Sequence, residues 1–125
     1  MRELVAIALA GALGSLGRHG ASVLTVRWFG DVLPYGTLAV NTLGSLILGT
    51  LTGLALVSDV VPASIRVPVA TGFLGAFTTF STFSVETVRL AERDPWLAAA
   101  NVAANLVLGL GAAVLGVAIG RWLGA

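Results

Sequence analysis

Hydrogen-bonding side chains recur at four-residue spacing inside apolar stretches of this sequence. One series is Thr37, Asn41, Ser45, Gly49 and Gly53, and a second is Asn101, Asn105, Gly109 and Ala113. Residues four apart lie on one face of a helix, so each series predicts a stripe of small and polar side chains. Close helix packing in lipid explains the small residues. It does not require the amides of Asn41 and Asn105 or the guanidinium of Arg18, which favour a role in function or at an interface.

The side chains available for chemistry are mostly hydrogen-bond donors. The chain has no cysteine, its only histidine is His19, and Glu86 is the only carboxylate within a long apolar segment. Such a set contains no acid–base pair, no metal-ligand cluster and no phosphate-binding loop, which argues against an enzyme. Amides, hydroxyls, a guanidinium and the electropositive ring edges of Phe80 and Phe83 remain. A set rich in donors and poor in carboxylates predicts a pathway for an anion.

A run rich in glycine and hydroxyl residues, GFLGAFTTFSTFS, extends from Gly72 to Ser84. Glycine and β-branched threonine lower helix stability, so a helix that contains this run is predicted to break near its middle. Irregular backbone at membrane depth persists only where protein buries it or where it lines a cavity, and its freed carbonyls can coordinate a cation. The alternative is a continuous helix whose hydroxyls bond back to its own carbonyls.

The elements that must position these groups follow from composition. Of the 125 residues, 57% are hydrophobic and 10% are charged, with a net charge of +1. This excludes an ordinary soluble protein and argues against intrinsic disorder and nucleic-acid binding. Apolar segments of membrane-spanning length predict an all-α integral membrane protein, a single domain over 1–125 with four transmembrane helices near 4–28, 35–58, 67–86 and 95–121. A cleaved signal peptide is the less favoured reading of the first, because Arg18 and His19 interrupt it and the apolar pattern continues beyond them.

The distribution of basic residues does not favour either orientation of the chain in the membrane. With four spans, three arginines lie on each side: Arg2, Arg66 and Arg121 against Arg27, Arg89 and Arg93. Since an excess of Lys and Arg in short loops sets orientation, an even split leaves two readings. Either hydrophobicity or the first helix decides the orientation, or the chain inserts both ways and pairs as an antiparallel dual-topology homodimer.

Three motifs, in order and each on a predicted span, carry a family resemblance. They are GALGSLGR at 11–18, GTLAVNTLGS at 36–45 and GFLGAFTTFSTF at 72–83. Together they resemble the Fluc/CrcB family of fluoride channels over essentially the whole chain, and TTFSTF is the most specific part. The resemblance implies an antiparallel homodimer in the cell (inner or plasma) membrane, with two fluoride pores and a central structural Na⁺ that is not transported. It also implies passive, voltage-driven fluoride export that gives fluoride resistance.

The resemblance also implies roles for individual residues. Phe80 and Phe83 match the pore phenylalanines whose ring edges contact fluoride, and Asn41 matches a pore asparagine that donates to the ion or to those rings. Other residues expected along the pore are Thr79, Ser81, Asn101 and Asn105.

Three further positions match the family away from the ring edges. The main-chain carbonyls of Gly75 and Thr78 match the Na⁺ positions, and two oxygens from each subunit would give four. Arg18 resembles a first-span arginine that attracts anions into a vestibule.

Two other functional classes remain open at this level. A small dual-topology multidrug exporter is one, although the lack of a carboxylate in the middle of the membrane argues against proton-coupled exchange. A non-transporting assembly subunit is the other, in which the polar stripes are only helix contacts.

Overall fold

Every regular element of the protein is a helix in the computed structural model, which describes residues 1–125. The elements are α1 (Arg2–Phe29), α2 (Tyr35–Ala55), α3 (Ala63–Val67), a π-helix (Pro68–Leu74), α4 (Gly75–Phe77), α5 (Phe80–Arg93) and α6 (Pro95–Gly124). The predicted all-α class is confirmed. Helices α1, α2 and α6 are each long and apolar enough to cross a membrane. The shorter helical pieces from 63 to 93 lie between α2 and α6 where the third span is predicted, and they are here called the third crossing.

The third crossing is broken at two threonines. Helix α4 ends at Phe77, and Thr78 (φ −84°, ψ 161°) and Thr79 (φ −156°, ψ 121°) are extended before α5 begins at Phe80. The predicted break is therefore present, and a continuous helix is excluded. Back-bonding still occurs beside it, because the Thr78 hydroxyl donates to the Leu74 carbonyl at 2.9 Å.

The π-helix before the break is a feature that the sequence pattern does not predict. It begins at Pro68, which has no N–H to donate, so the α-helical hydrogen-bond ladder is already interrupted there. Its seven residues end at Leu74. Short π-helical segments within a helix occur frequently at functional sites.

Glycines bring α2 and α6 into backbone contact. A Cβ at Gly49 would lie 2.5 Å from the Ala113 carbonyl oxygen, and one at Gly53 would meet that of Val117. From the other side, Cβ atoms at Gly116 and Gly120 would meet α2 carbonyls. This supports the packing interpretation of the glycines on α2.

Helix α1 supports the first half of the third crossing. A Cβ at Gly14 would meet the Phe73 carbonyl oxygen, and a Cβ at Gly72 would lie 2.6 Å from that of Ile7. The Phe73 and Phe77 rings stack on each other with centroids 5.4 Å apart. The half-crossing that leads to the break is thus fixed against α1 by backbone contact.

Little of the chain is buried in this structure. Only 17 of 125 residues are buried, and Leu74 and Val40 are the largest side chains that are fully enclosed. Large apolar side chains are exposed along α1 and α6, among them Leu9, Leu16 and Val114. So much exposed apolar surface is compatible with lipid or with another protein surface and not with water, as expected for a multi-pass membrane protein.

Candidate functional site

The break is held by α2 through one side chain, Asn41. Asn41 Oδ1 accepts a hydrogen bond from the Thr79 N–H at 2.8 Å, and Asn41 Nδ2 donates to the Thr79 carbonyl at 3.1 Å. This pair of bonds imitates the residue pair of an antiparallel sheet, which suits the extended backbone of Thr79. An unpaired backbone N–H or carbonyl is energetically costly at membrane depth. Asn41 pairs both the N–H and the carbonyl of Thr79.

Two main-chain carbonyls at the break have lost their helical donors. In a continuous helix the Gly75 carbonyl would accept from the Thr79 N–H, and the Thr78 carbonyl from the Thr82 N–H. The first N–H donates to Asn41 instead, and the second donates to the Thr79 hydroxyl at 3.2 Å. Main-chain oxygens freed in this way suit a hard cation such as Na⁺, so the predicted metal positions fit the group, with two oxygens from one subunit.

An open groove of about 290 Å³ lies beside the break. It is lined by Asn41 and Gly44 of α2 and by Gly75, Thr78, Thr79 and Phe80. Gly44 leaves room for Thr78, since a Cβ there would meet the Thr78 methyl group. The residues predicted to hold a cation therefore border one shared space.

A chain of amides leads from the break to α6 and on to α5. Asn41 Nδ2 also donates to Asn105 Oδ1 at 3.1 Å, and Asn105 Nδ2 donates to Asn101 Oδ1 at 3.2 Å. Asn101 Nδ2 donates to the Thr87 hydroxyl at 2.9 Å, which donates to the Phe83 carbonyl at 2.7 Å. Asn101 is only 2% exposed. The structure thus joins the three predicted asparagines in one hydrogen-bonded row.

The two predicted pore phenylalanines lie in the first turn of α5. The Phe80 and Phe83 rings have centroids 5.8 Å apart at an angle of 50°, so they share a local site. Phe80 is 79% exposed. Ser81 is also exposed, and its hydroxyl lies 3.4 Å from that of Thr79, which is buried.

No hydrogen bond or ion pair joins the Arg18 side chain to this site. Arg18 lies half-buried on α1, and its guanidinium makes no hydrogen bond and no ion pair. The one bond at this residue is to its carbonyl, from Ser22 Oγ at 3.1 Å. Arg18 therefore leaves a free cation on α1, one turn after Gly14, which contacts the third crossing.

Sequence reasoning missed Thr87, and it placed Thr37 on the polar stripe without predicting its partner. Thr87 lies beyond the predicted end of the third span and links Asn101 to the Phe83 carbonyl. The Thr37 hydroxyl donates to Glu86 Oε1 at 3.0 Å, while Glu86 Oε2 is buried without a partner. Thr37 precedes Asn41 by one turn on the same stripe, and that spacing was the available signal.

Comparison with known families identifies this arrangement. The family model described as "CrcB-like protein, Camphor Resistance (CrcB)" matches residues 5–117. The chain belongs to the CrcB family. The match spans the three sequence motifs, the break and the amide row, so all of the CrcB motifs lie within the part of the chain described above.

CrcB relatives share close to the full length of this chain. A protein of Syntrophotalea carbinolica is 50% identical over 122 residues, which cover 97% of this chain and 99% of the relative. Proteins of Allorhizobium ampelinum and Magnetococcus marinus are 43% and 42% identical over 124 and 120 residues, with 98% and 95% of this chain and 99% and 98% of the relatives covered. Each of the three is named "Fluoride-specific ion channel FluC". These names describe channels and not enzymes, in agreement with the sequence analysis.

Proposed function

We propose that this protein is a fluoride channel that exports fluoride passively from the cytoplasm. The observation that carries the proposal is a row of amides and hydroxyls, with no charged group among its members, that runs from the break to the Phe83 carbonyl near the Phe80 and Phe83 rings. A strongly hydrated anion must exchange its water for hydrogen-bond donors in a narrow pore. The names of the relatives support fluoride as the anion.

Two antiparallel copies would complete the channel and form two pores. The even split of arginines between the two sides supports insertion in both directions. The small buried fraction of the single chain and the exposure of Phe80 support a second protein surface at the break. In a twofold dimer the same patch meets itself, so the groove beside Thr78 would face the groove of the partner.

The central sodium ion is part of the same proposal. The Gly75 and Thr78 carbonyls of both copies would hold it, four oxygens in all, between the grooves. When bound, Na⁺ supplies a positive charge that ties the two breaks together. The chain's own contribution is to keep those oxygens free, through Asn41 and the Thr79 hydroxyl.

Along each pore, different groups would act on the ion at different depths. Arg18 provides a cation that raises the local concentration of anions in a vestibule. The ring edges of Phe80 and Phe83 meet the ion next, since aromatic hydrogens carry partial positive charge. Thr79, Ser81, Asn101 and Asn105 would line the pore beyond the rings. The Ser81 hydroxyl and the second amide hydrogen of Asn101 would supply hydrogen-bond donors, whereas the Thr79 hydroxyl and the Asn105 amide already donate within the chain.

The physiological consequence follows from acid–base chemistry. HF crosses the inner or plasma membrane from acidic medium and ionises inside, where the anion is trapped. A negative-inside membrane potential contributes about 2.3 kcal/mol per elementary charge for each 100 mV, and it drives the anion outward through an open pore.

A flux assay tests this proposal. Liposomes that contain the purified protein and fluoride, given a K⁺ leak by valinomycin, are expected to release fluoride far faster than empty liposomes. Phe80→Ile is expected to lower the release by at least about tenfold, because one ring edge is lost, while the protein still assembles. Equal release from protein-containing and empty liposomes would overturn the proposal, and loss of assembly in Phe80→Ile would favour a packing role.

A further inference from the structure

The Asn41 amide has no hydrogen left for a permeating ion. An asparagine amide carries two N–H donors. One is directed at the Thr79 carbonyl and the other at Asn105 Oδ1, both at 3.1 Å. The oxygen of the same amide is occupied by the Thr79 N–H at 2.8 Å. Every donor of this side chain is therefore already paired inside the protein.

The orientation of the Asn41 amide is also fixed. Rotating the amide by 180° would set its oxygen against the Thr79 carbonyl and its NH₂ group against the Thr79 N–H, which replaces two attractive contacts by two repulsive ones. Turning either hydrogen toward a pore would leave the Thr79 carbonyl or Asn105 Oδ1 unpaired at membrane depth.

A second contact from α2 holds the neighbouring residue. Gly44 follows Asn41 by three positions and so lies on the same face of α2. A Cβ at Gly44 would meet the Thr78 methyl group, which shows how closely Thr78 rests on the helix. Asn41 and Gly44 together fix both extended residues of the break.

We propose that Asn41 is a positioning residue that clamps Thr79 to α2, and that it is not a ligand of the permeating anion. The proposal rests on the channel function above and reassigns one of its residues. The clamp pairs both the N–H and the carbonyl of Thr79 and sets the direction in which α5 leaves the break. It thereby controls the free carbonyls on one side and the Phe80 and Phe83 rings on the other.

The chain allows a direct spectroscopic test, because it contains only three asparagines. In protein labelled with ¹⁵N-asparagine and ring-¹³C-phenylalanine and held in lipid nanodiscs with Na⁺, fluoride is titrated against a chloride control. Side-chain amide signals of Asn41 are expected to stay in place while ring signals of Phe80 or Phe83 shift. A saturable, fluoride-specific shift of the Asn41 amide signals that is as large as those of the rings would overturn the clamp.

Hydrogen exchange at the Thr79 backbone amide gives a second test that needs no fluoride. Removing the partner of a protected amide exposes it to exchange. Asn41→Ala is expected to speed exchange at Thr79 by about tenfold or more, whereas the matched α2 variant Thr42→Val leaves it unchanged. Unchanged exchange in Asn41→Ala would refute the proposal.

Two outcomes need separate interpretation. If Asn41→Ala fails to assemble, Asn41→Asp carries the exchange test, since it retains an oxygen for the Thr79 N–H and is expected to keep Thr79 protected. Fast exchange at Thr79 in an assembled Asn41→Asp protein would count against the clamp. If no signal responds to fluoride and liposomes release none, the channel proposal fails, and slow Thr79 exchange that depends on Asn41 still supports the clamp.

Discussion

Two parts of α2 make contacts of opposite kinds. Toward its C-terminal end, Gly49 and Gly53 rest on the backbone of α6, and the contact depends on the absence of side-chain atoms. Toward its N-terminal end, Asn41 reaches the break, and the contact depends on one amide. The first contact fixes the helices at a close distance, whereas the second keeps an irregular segment in place beside a groove. One series of small and polar residues, four apart on α2, therefore provides a close packing surface at one end and a hydrogen-bonding contact with the break at the other.

Adding a single methyl group at the glycine contact is expected to give the largest change in the free energy of unfolding. A Cβ at Gly120 would meet the Thr50 carbonyl oxygen, whereas a Cβ at Gly111 has no atom within 4 Å outside its local helix. Gly120→Ala is expected to destabilise the protein by about 1–3 kcal/mol through overpacking. Gly111→Ala, on the same helix, is expected to stabilise it by about 0.5–1 kcal/mol. Thermal unfolding of both variants in detergent measures the difference, and equal shifts would contradict the backbone contact.

A substitution at the break is expected to change the free energy of unfolding less than one at the glycine contact, and to change fluoride flux more. Thr79→Ala removes the N-cap of α5, which accepts from the Thr82 N–H, and such a loss costs typically about 1 kcal/mol. The freed N–H of Thr82 can then compete with Na⁺ for the Thr78 carbonyl. Fluoride flux is therefore expected to require a higher Na⁺ concentration. Thr79→Ser is the matched control, because it keeps the hydroxyl. The two variants are compared by unfolding and by flux at several Na⁺ concentrations, and an unchanged Na⁺ dependence in Thr79→Ala would separate the cap from the cation site.

The smallest effect is expected between the two contacts, at Thr42. Its hydroxyl is buried and has no hydrogen-bond partner, and valine has the same shape without that polar atom. Removing an unpaired buried hydroxyl recovers part of its desolvation cost, which is about 1–3 kcal/mol for such groups. Thr42→Val is therefore expected to be neutral or slightly stabilising in thermal unfolding and to leave flux unchanged. A clear loss of stability would mean that the hydroxyl is paired in the assembled protein.

The sequence predicts the elements of this molecule better than the contacts between them. The four crossings follow from apolar length, and the break follows from local chemistry, because glycine and threonine weaken a helix wherever it packs. The π-helix is missed because periodicity over seven residues does not distinguish it from an α-helix. Thr87 is missed because the charged residues Arg89 and Arg93 favour a loop after residue 86, whereas the structure continues α5 to Arg93.

The roles of side chains depend on pairing that no single segment contains. The spacing of Asn41, Asn101 and Asn105 identifies polar faces on two helices. It does not reveal that Asn41 Nδ2 donates to Asn105, because that requires the close approach of α2 and α6. The Thr37–Glu86 bond is missed for the same reason, since its residues lie 49 positions apart.

The amide row also has a fixed direction, because each amide in it donates to the next. Each of the three amides has two orientations when considered alone, but the Thr79 N–H can donate only to the oxygen of Asn41 and not to its nitrogen. That choice makes Asn41 present hydrogen to Asn105, which presents hydrogen to Asn101, and so on to Thr87 and the Phe83 carbonyl. The main chain at the break therefore dictates the polarity of the whole row. No amide in it can reverse alone, so the row has a single dipole arrangement that is set by the protein itself.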